Sequence, residues 1–288
     1  MSTTRREFVM TSLAVAGLSR LPVRAAPPAL KKGLVFDMVS DKLSYADRFK
    51  QVRDSGFEVV QALTEPDGGK AQEMKQAADA AGIRIDSVMN VDHWQYPLSS
   101  NDPAVIEKSL NGMRTSLHNA QLWGSDVVLL VPAVVNGQTS YRDAWTRSQA
   151  QIRKLIPLAQ ELKVVIGIEE VWNKFLLSPL EMAQYIDEFK SPWIKAWFDV
   201  GNVVLYGYPQ DWIRTLGKRV VKVHLKDFKR KEGGYDWVNL GEGDVDWPAV
   251  RAAFTAIGYG GSVIAELEQG DAAYLSDVSR RIDRLLLG

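Results

Sequence analysis

The run Lys163-Val164-Val165-Ile166-Gly167-Ile168-Glu169-Glu170 is a short apolar segment that ends abruptly in two carboxylates. Such segments are buried on both faces, as the strands of a parallel sheet are, and the polar end marks where the strand surfaces. Seven more segments repeat the pattern, at 33–39, 57–63, 83–90, 126–134, 194–202, 220–227 and 262–268. Amphipathic stretches alternate with them at 43–55, 69–81, 103–123, 141–161, 178–190, 209–217, 246–257 and 272–286. Helix starts carry a cap followed by proline: Asn101-Asp102-Pro103, Ser178-Pro179 and Asp246-Trp247-Pro248. Helix-to-strand turns carry glycine at Gly56, Gly82, Gly124 and Gly258. Eight strand–helix units in 288 residues predict an α/β fold, a single (β/α)8 TIM barrel. A doubly wound open sheet is the alternative; no repeat or low-complexity linker divides the chain.

Composition narrows the chemistry. Lys+Arg and Asp+Glu are both 35, so no overall field draws the chain to nucleic acid. No stretch of about 18 apolar residues predicts a stable membrane span. The chain contains no cysteine, which excludes disulfides, thiolate metal sites and a cysteine nucleophile. A metal here must bind His, Asp, Glu or carbonyl oxygen. There is no G-x-S-x-G, H-E-x-x-H or P-loop, and Gly241-Glu242-Gly243 lacks the spacing and strand context of a dinucleotide fingerprint.

The first 26 residues read as a cleaved signal peptide, with the barrel domain at 27–288. Arg5-Arg6-Glu7-Phe8 forms a charged region, an apolar run spans 13–18, and Val23-Arg24-Ala25 is a small-x-small processing site. The paired arginines resemble a twin-arginine signal, so the expectation is export of the folded protein to the periplasm. Phosphorylated sugars are mostly cytosolic, so export favours a free or glycosidic sugar as substrate.

Catalytic residues of such barrels stand at the C-terminal ends of the strands. The fifth predicted strand ends in Glu169-Glu170, the sixth in Asp199-Val200-Gly201-Asn202, the seventh in His224-Leu225-Lys226-Asp227 and the eighth in Glu266-Leu267-Glu268. One carboxylate at a strand end is commonly a cap or a surface charge. Three carboxylates and an imidazole converging on one barrel mouth would be costly without a cation, because like charges repel in a low dielectric. An oxygen-rich set with one imidazole suits one divalent ion: Mn2+, Mg2+, Co2+ or Zn2+.

Four segments carry a family resemblance. They are Glu169-Glu170-Val171-Trp172-Asn173-Lys174-Phe175, Phe198-Asp199-Val200-Gly201-Asn202, Lys222-Val223-His224-Leu225-Lys226-Asp227 and Asn239-Leu240-Gly241-Glu242-Gly243-Asp244-Val245-Asp246-Trp247. Together they resemble the xylose-isomerase-like sugar phosphate isomerase/epimerase group, including the ketose 3-epimerases. The resemblance implies that Glu169, Asp199, His224 and Glu266 bind one divalent cation. It also implies that Glu169 and Glu266 form the acid/base pair, exchanging a proton next to a substrate carbonyl that the metal polarises, through an enediolate. Glu170 stands where many relatives have Asn, and Glu268 shares strand parity with Glu266, so each is an alternative to its neighbour. The three-metal DNA-repair endonucleases of the superfamily need many more histidines than His93, His118 and His224.

Expected substrate contacts are His93, Trp94, Trp172, Asn202, Lys226 and Arg230. His93 and Trp94 follow the third strand. Lys226 shares parity with His224, and either holds a substrate oxygen or pairs with Glu266. Arg230 lies six residues after the histidine, as in the ketose 3-epimerases, but Lys229 and Lys231 flank it, so a solvated basic loop is equally compatible. Trp94, Trp172, Tyr206, Tyr208 and Trp237 fall in expected strand-to-helix loops, where aromatic faces either stack on sugars or pack helices on the barrel. His118, mid-helix, is expected to be structural. The functional expectation is a metal-dependent sugar isomerase or epimerase acting on a non-phosphorylated sugar or keto-sugar. The alternatives are a lyase or dehydratase of keto-inositols or oxidised glycosides, and a non-catalytic carbohydrate-binding protein. The partner is a small-molecule carbohydrate, with a homo-oligomer left open.

Overall fold

A computed structural model describes residues 29–288; the signal-peptide expectation for residues 1–26 lies outside the described residues. Eight parallel strands close into a barrel: β1 (Lys31–Val35), β2 (Val59–Leu63), β3 (Arg84–Met89), β4 (Val127–Leu130), β5 (Val165–Glu169), β6 (Ile194–Asp199), β7 (Val220–Leu225) and β10 (Ser262–Ala265). Each strand pairs with the next, and closure runs through β1 against β10, Lys31 opposite Ser262. A hairpin, β8 (Asp227–Lys231) and β9 (Gly234–Val238), follows β7. The outer helices are α1 (Tyr45–Asp54), α2 (Gly68–Ala81), α3 (Pro103–Trp123), α4 (Tyr141–Leu162), α5 (Pro179–Asp187), α6 (Pro209–Leu216), α7 (Trp247–Ile257) and α8 (Ala272–Ile282). The closed barrel sets aside the open doubly wound sheet.

The helix signals act as their chemistry requires. The side chains of Asp102, Ser178 and Asp246 accept backbone N–H groups of Ala104, Glu181 and Ala249, satisfying orphan donors at the starts of α3, α5 and α7. At Gly82, φ is +70°, a left-handed conformation that ends α2 at no Cβ cost.

The strands are shorter at their C-terminal ends than hydrophobicity alone implies. Val131, Ala133, Val200, Val203 and Val204 are buried but lie beyond the ladders. They are covered by helices and neighbouring loops, so apolar character continues after strand pairing has stopped. The first segment behaves likewise: Phe36–Met38 form a 3-10 turn with Phe36 and Met38 buried.

Alternation along the strands sorts the core into two compartments. Ile166, Ile168, Phe198, Val223, Leu225 and Val263 face the helices, within the main core. Leu129, Trp197 and Ile264 face the barrel axis, in a separate inner cluster. At the lower end of the barrel Lys222 is buried between Asp86 and Asp126, a pairing that closes the N-terminal face. That end of such a barrel serves stability rather than chemistry.

Candidate metal centre and substrate cleft

Strand parity aims the ligating side chains. Glu169 continues the inward series through Gly167, Asp199 follows Trp197, and Glu266 follows Ile264. His224 lies level with Asp199 on β6 and with Ile264 on β10. Four ligand atoms, one each from Glu169, Asp199, His224 and Glu266, therefore lie within 4.8 Å of one another at the barrel mouth. His224 Nδ1 is 2.8 Å from Glu169 Oε1 and 2.8 Å from Glu266 Oε2. Its other nitrogen, Nε2, is 2.7 Å from Gln61 Oε1, so Nε2–H donates there and Nδ1 is turned to the carboxylates. Trp197 packs beneath the imidazole in a T-shaped contact at 4.8 Å. Gln61, buried on β2, carries no sequence motif, and only the third dimension reveals its role as the group that orients His224.

Asp199 is fixed from behind. Its Oδ1 accepts the N–H groups of Gly201 (2.7 Å) and Asn202 (2.9 Å), which leaves Oδ2 facing the mouth. Lys226 Nζ lies 3.0 Å from Asp199 Oδ2 and 2.7 Å from Glu266 Oε2. Those two oxygens are buried and lack a well-directed hydrogen bond, so lysine neutralises their charge without satisfying their geometry. A divalent ion satisfies such lone pairs. Ligand distances of 2.0–2.2 Å need donor atoms within about 4.4 Å of one another, so the set fits after closing by a few tenths of an ångström.

The electrostatics agree with a site organised around positive charge. Burial alone would push the His224 imidazole down, but Glu266 and Glu169 outweigh it and raise its pKa to about 10. Burial would raise the Glu266 carboxyl, yet His224 and Lys226 hold it well below the usual carboxylate range. Glu169 is pushed up, chiefly by burial, against the pull of His224. The two carboxyls flanking one imidazole are thus driven in opposite directions.

Glu170 does not face the mouth. It points back into the protein, fully buried, with Oε1 accepting the Asp199 N–H at 2.8 Å. Burial and the neighbouring Glu169 charge push its pKa well up. The sequence left Glu169 and Glu170 as alternatives; the geometry brings Glu169 into the cluster and makes Glu170 a brace for Asp199. The Glu266 N–H still donates to the Leu225 carbonyl and extends the ladder one residue past β10, whereas Glu268 lies beyond that pairing and is exposed.

Above the cluster is a cavity of about 220 Å3, whose walls include His93, Trp94, Trp172, Asn202, Lys226 and Trp237. His93 is buried, and burial lowers its pKa to about 4 against a weak opposing pull from Glu266. Trp172 donates its indole N–H to the Asn202 carbonyl at 2.8 Å and stacks on Trp237 with ring centroids 5.1 Å apart. Phe228 and Tyr235 meet the same indole edge-on. Asn202 itself donates to the Glu170 carbonyl, so it supports the wall that it lines. Trp94 stands at the rim, more than half exposed.

Arg230 is not brought to the cavity wall. It belongs to β8, where its guanidinium donates to the Val204 carbonyl and its backbone N–H donates to Asp244. It is absent from the cavity wall and braces the hairpin against the turn that follows β6. Lys229, Arg230 and Lys231 are exposed, so the basic segment is solvated, but as a strand of an antiparallel hairpin over residues 227–238 rather than as a loop. The available signal was Glu232-Gly233, a two-residue turn with Gly233 at φ +74°, followed by the alternating strand Gly234-Tyr235-Asp236-Trp237-Val238. Trp237 therefore reaches the cleft from a strand rather than from an irregular loop. Tyr206 and Tyr208 flank the start of α6 and do not line the cavity; His118 is exposed on α3.

The family model for the xylose isomerase-like TIM barrel matches residues 49–283. The chain belongs to that family. Among relatives of this xylose isomerase-like barrel is the L-ribulose-5-phosphate 3-epimerase UlaE of Escherichia coli O1:K1, 26% identical over 243 residues, covering 83% of this chain and 80% of that one. The enzyme of the same name from Salmonella paratyphi C is 25% identical over 234 residues, covering 77% and 82%. Two solved structures share the fold. D-allulose 3-epimerase from Methylomonas sp. superposes with a TM-score of 0.74 at 18% identity, covering 90% of this chain and 97% of that one. The 3-keto-D-glucoside 4-epimerase YcjR from E. coli gives 0.74 at 14% identity, covering 89% and 98%.

Proposed function

We propose that this protein is a divalent-metal-dependent sugar isomerase or epimerase that moves a proton at a carbon next to a carbonyl. The observation carrying this reading is the convergence of Glu169, at the end of β5, and Glu266, just past β10, on His224 Nδ1, beneath an aromatic-walled cavity sized for one sugar ring. Relatives that are sugar epimerases support it.

A bound cation supplies Lewis-acid polarisation of the substrate carbonyl, which acidifies the adjacent C–H. The remaining work belongs to the chain. Glu169 and Glu266 flank the place where the reacting carbon sits; one removes the proton and the other returns one on the opposite face. Lys226 lies against Glu266 and Asp199 and offers N–H donors toward substrate oxygen, so negative charge developing there meets a preplaced cation. Neutral His93 serves as a hydrogen-bonding wall residue. The Trp172–Trp237 stack covers the apolar face of the ring and excludes water. The reading extends to a non-phosphorylated sugar or keto-sugar and to export through the twin-arginine route, on the strength of Arg5-Arg6 and the processing site at 23–25.

The test is deuterium uptake. Metal-loaded protein is incubated in D2O with a panel of ketoses and keto-glycosides and followed by NMR. Uptake next to a carbonyl, abolished by a chelator, is the expected result. Glu169→Gln and Glu266→Gln should each lower the rate by about 10²–10⁴-fold. Turnover unchanged in either variant overturns the role assignment, and a product lacking a β-substituent moves the reading to elimination.

A further inference from the structure

Beside the metal-facing cavity lies a larger one, of about 590 Å3. The two share Lys226, Trp237 and Glu266 as a common wall. Asn239, Glu242, Glu268 and Tyr274 complete the outer chamber. They come from the segment after β9, the end of β10 and the first turn of α8, whereas the inner cavity draws its remaining wall from the ends of β3 to β6. A ligand held against Glu266 from the inner side therefore has open space on the other. The inner cavity alone is smaller than the roughly 300–1,000 Å3 usual for small-molecule sites; the two together fall within that range.

The walls of the outer chamber define what it accepts. Trp237 and Tyr274 present aromatic surface suited to the apolar face of a sugar ring. Asn239, Glu242 and Glu268 present hydrogen-bond acceptors suited to hydroxyl groups. Tyr274 is set in place by a contact to Asn239 Oδ1 at 3.3 Å and by its backbone N–H, which the Asp271 side chain accepts. Among the described residues, each cation in or beside the chamber already has a partner in the protein. Lys226 is engaged by Asp199 and Glu266, Arg281 by Glu242 and Asp277, and Arg230 by Val204 and Asp244. A phosphate ester entering the chamber would meet Glu242 and Glu268, and the one cation in its wall, Lys226, already faces two carboxylates.

We infer that the outer chamber is a subsite for the second, uncharged ring of a glycoside whose reacting ring occupies the metal-facing cavity. The inference rests on the reading of the inner cavity as the place where a sugar reacts, and it narrows the substrate class from single sugars to neutral two-ring glycosides. Glu266, in the shared wall, stands between the two rings, next to the linkage.

Binding tests the subsite without requiring turnover. The probes are methyl glucoside, a panel of glucose disaccharides of different linkage, and glucose 6-phosphate, titrated calorimetrically into metal-loaded full-length protein. The expected result is at least one disaccharide bound tenfold more tightly than methyl glucoside, about 1.4 kcal/mol, with the phosphate ester weakest. Tyr274→Ala should bring the disaccharide-to-monosaccharide ratio close to one, with folding checked by circular dichroism; Glu268→Ala serves if that variant does not fold. Equal affinity for one and two rings, tightest binding of the phosphate, no binding of any probe, or equal losses for both ring counts in Tyr274→Ala overturns the inference. These glucosides carry no carbonyl for proton abstraction, so their binding is read separately from deuterium uptake. Uptake with single-ring ketoses but no preference for two rings overturns the subsite alone. A two-ring preference without uptake from any keto-sugar overturns the proton-transfer reading alone.

Discussion

Asp199 and His224 lie directly opposite one another on β6 and β7, yet Asp199 Oδ2 stands 3.9 Å from His224 Nδ1 while Glu169 and Glu266 approach the same nitrogen at 2.8 Å. The two register-matched residues thus border a gap instead of closing it. Positive charge on His224 and Lys226 offsets two of the three carboxylate charges. A divalent ion placed among the four donors does so more completely, because it also supplies the directional contacts that Asp199 Oδ2 and Glu266 Oε2 lack.

Divalent cations should therefore stabilise the fold. A cation present at a hundred times its dissociation constant adds about 2.7 kcal/mol if it binds only the native state. Thermal melts with Mn2+, Mg2+, Co2+ or Zn2+ should shift upward, and EDTA should reverse the shift. His224→Gln should remove most of it. An unchanged melting temperature with every ion would exclude a preformed cation site at this position.

Lys226 supplies a second check on the same charges. Its side chain lies against two buried or half-buried carboxylates, and removing one partner of such a group costs about 3–5 kcal/mol through the charge left behind. Lys226→Met should accordingly be destabilised by about 3 kcal/mol in chelator. Saturating divalent cation should shrink that deficit, because it neutralises the same oxygens. Urea titrations with and without metal read the difference; an identical deficit in both conditions would place the ion elsewhere.

The sequence made the barrel and the ligand quartet legible for one physical reason. A parallel strand buried on both faces has to be apolar until it surfaces, so the first ionisable residue after each run marks the mouth. Glu169 and Glu266 follow that logic; in β6 and β7 Lys195 and Lys222 come earlier, so Asp199 and His224 are marked by their place at the strand end instead. What stayed hidden depends on where side chains point once the strand ends. Glu170 turns away from the mouth into the protein to brace Asp199, and Glu268 leaves the ladder, although each is within two residues of a mouth-facing glutamate. The hairpin that carries Arg230 was also hidden, because the consecutive Lys229, Arg230 and Lys231 of its exposed strand read in sequence like a basic loop. Gln61 gave no sign, since a glutamine within an apolar strand identifies its partner only when the barrel closes.

His93 sets a pH dependence whose sign follows from its burial. Its native pKa, lowered to about 4, lies below the unfolded value of 6.5, so between those limits the unfolded chain binds a proton that the native state refuses. The contribution is fully present above pH 6.5 and is lost as pH falls towards 4, amounting to at most about 3 kcal/mol. Glu266, the charged group that faces it, opposes the shift only in part. His93→Phe removes this titration and should lose less stability than the parent between pH 7 and pH 4. Urea unfolding of both proteins at the two pH values measures the difference; parallel losses would show that His93 titrates normally.

The loop 239–246, which forms part of the outer wall of the cleft, is tied to one buried carboxylate. Asp227 Oδ2 accepts the Gly241 N–H at 2.7 Å and the Trp247 indole N–H at 2.9 Å, and its Oδ1 accepts the Phe228 N–H at 2.9 Å. Gly243 passes so close that an added Cβ would sit 2.2 Å from Asp227 Oδ1 and 2.6 Å from the Phe228 carbonyl oxygen. Neither neighbour has room to yield, because each is already fixed by hydrogen bonds, so overpacking should cost about 1–3 kcal/mol. Gly243→Ala should displace the loop and the hairpin together, raising KM more than it lowers kcat, because the metal ligands stand on the barrel strands while Trp237 and Asn239 stand on or beside the displaced segments. A Gly243→Ala protein with unchanged stability and unchanged KM would show that the loop is not held by Asp227 in solution.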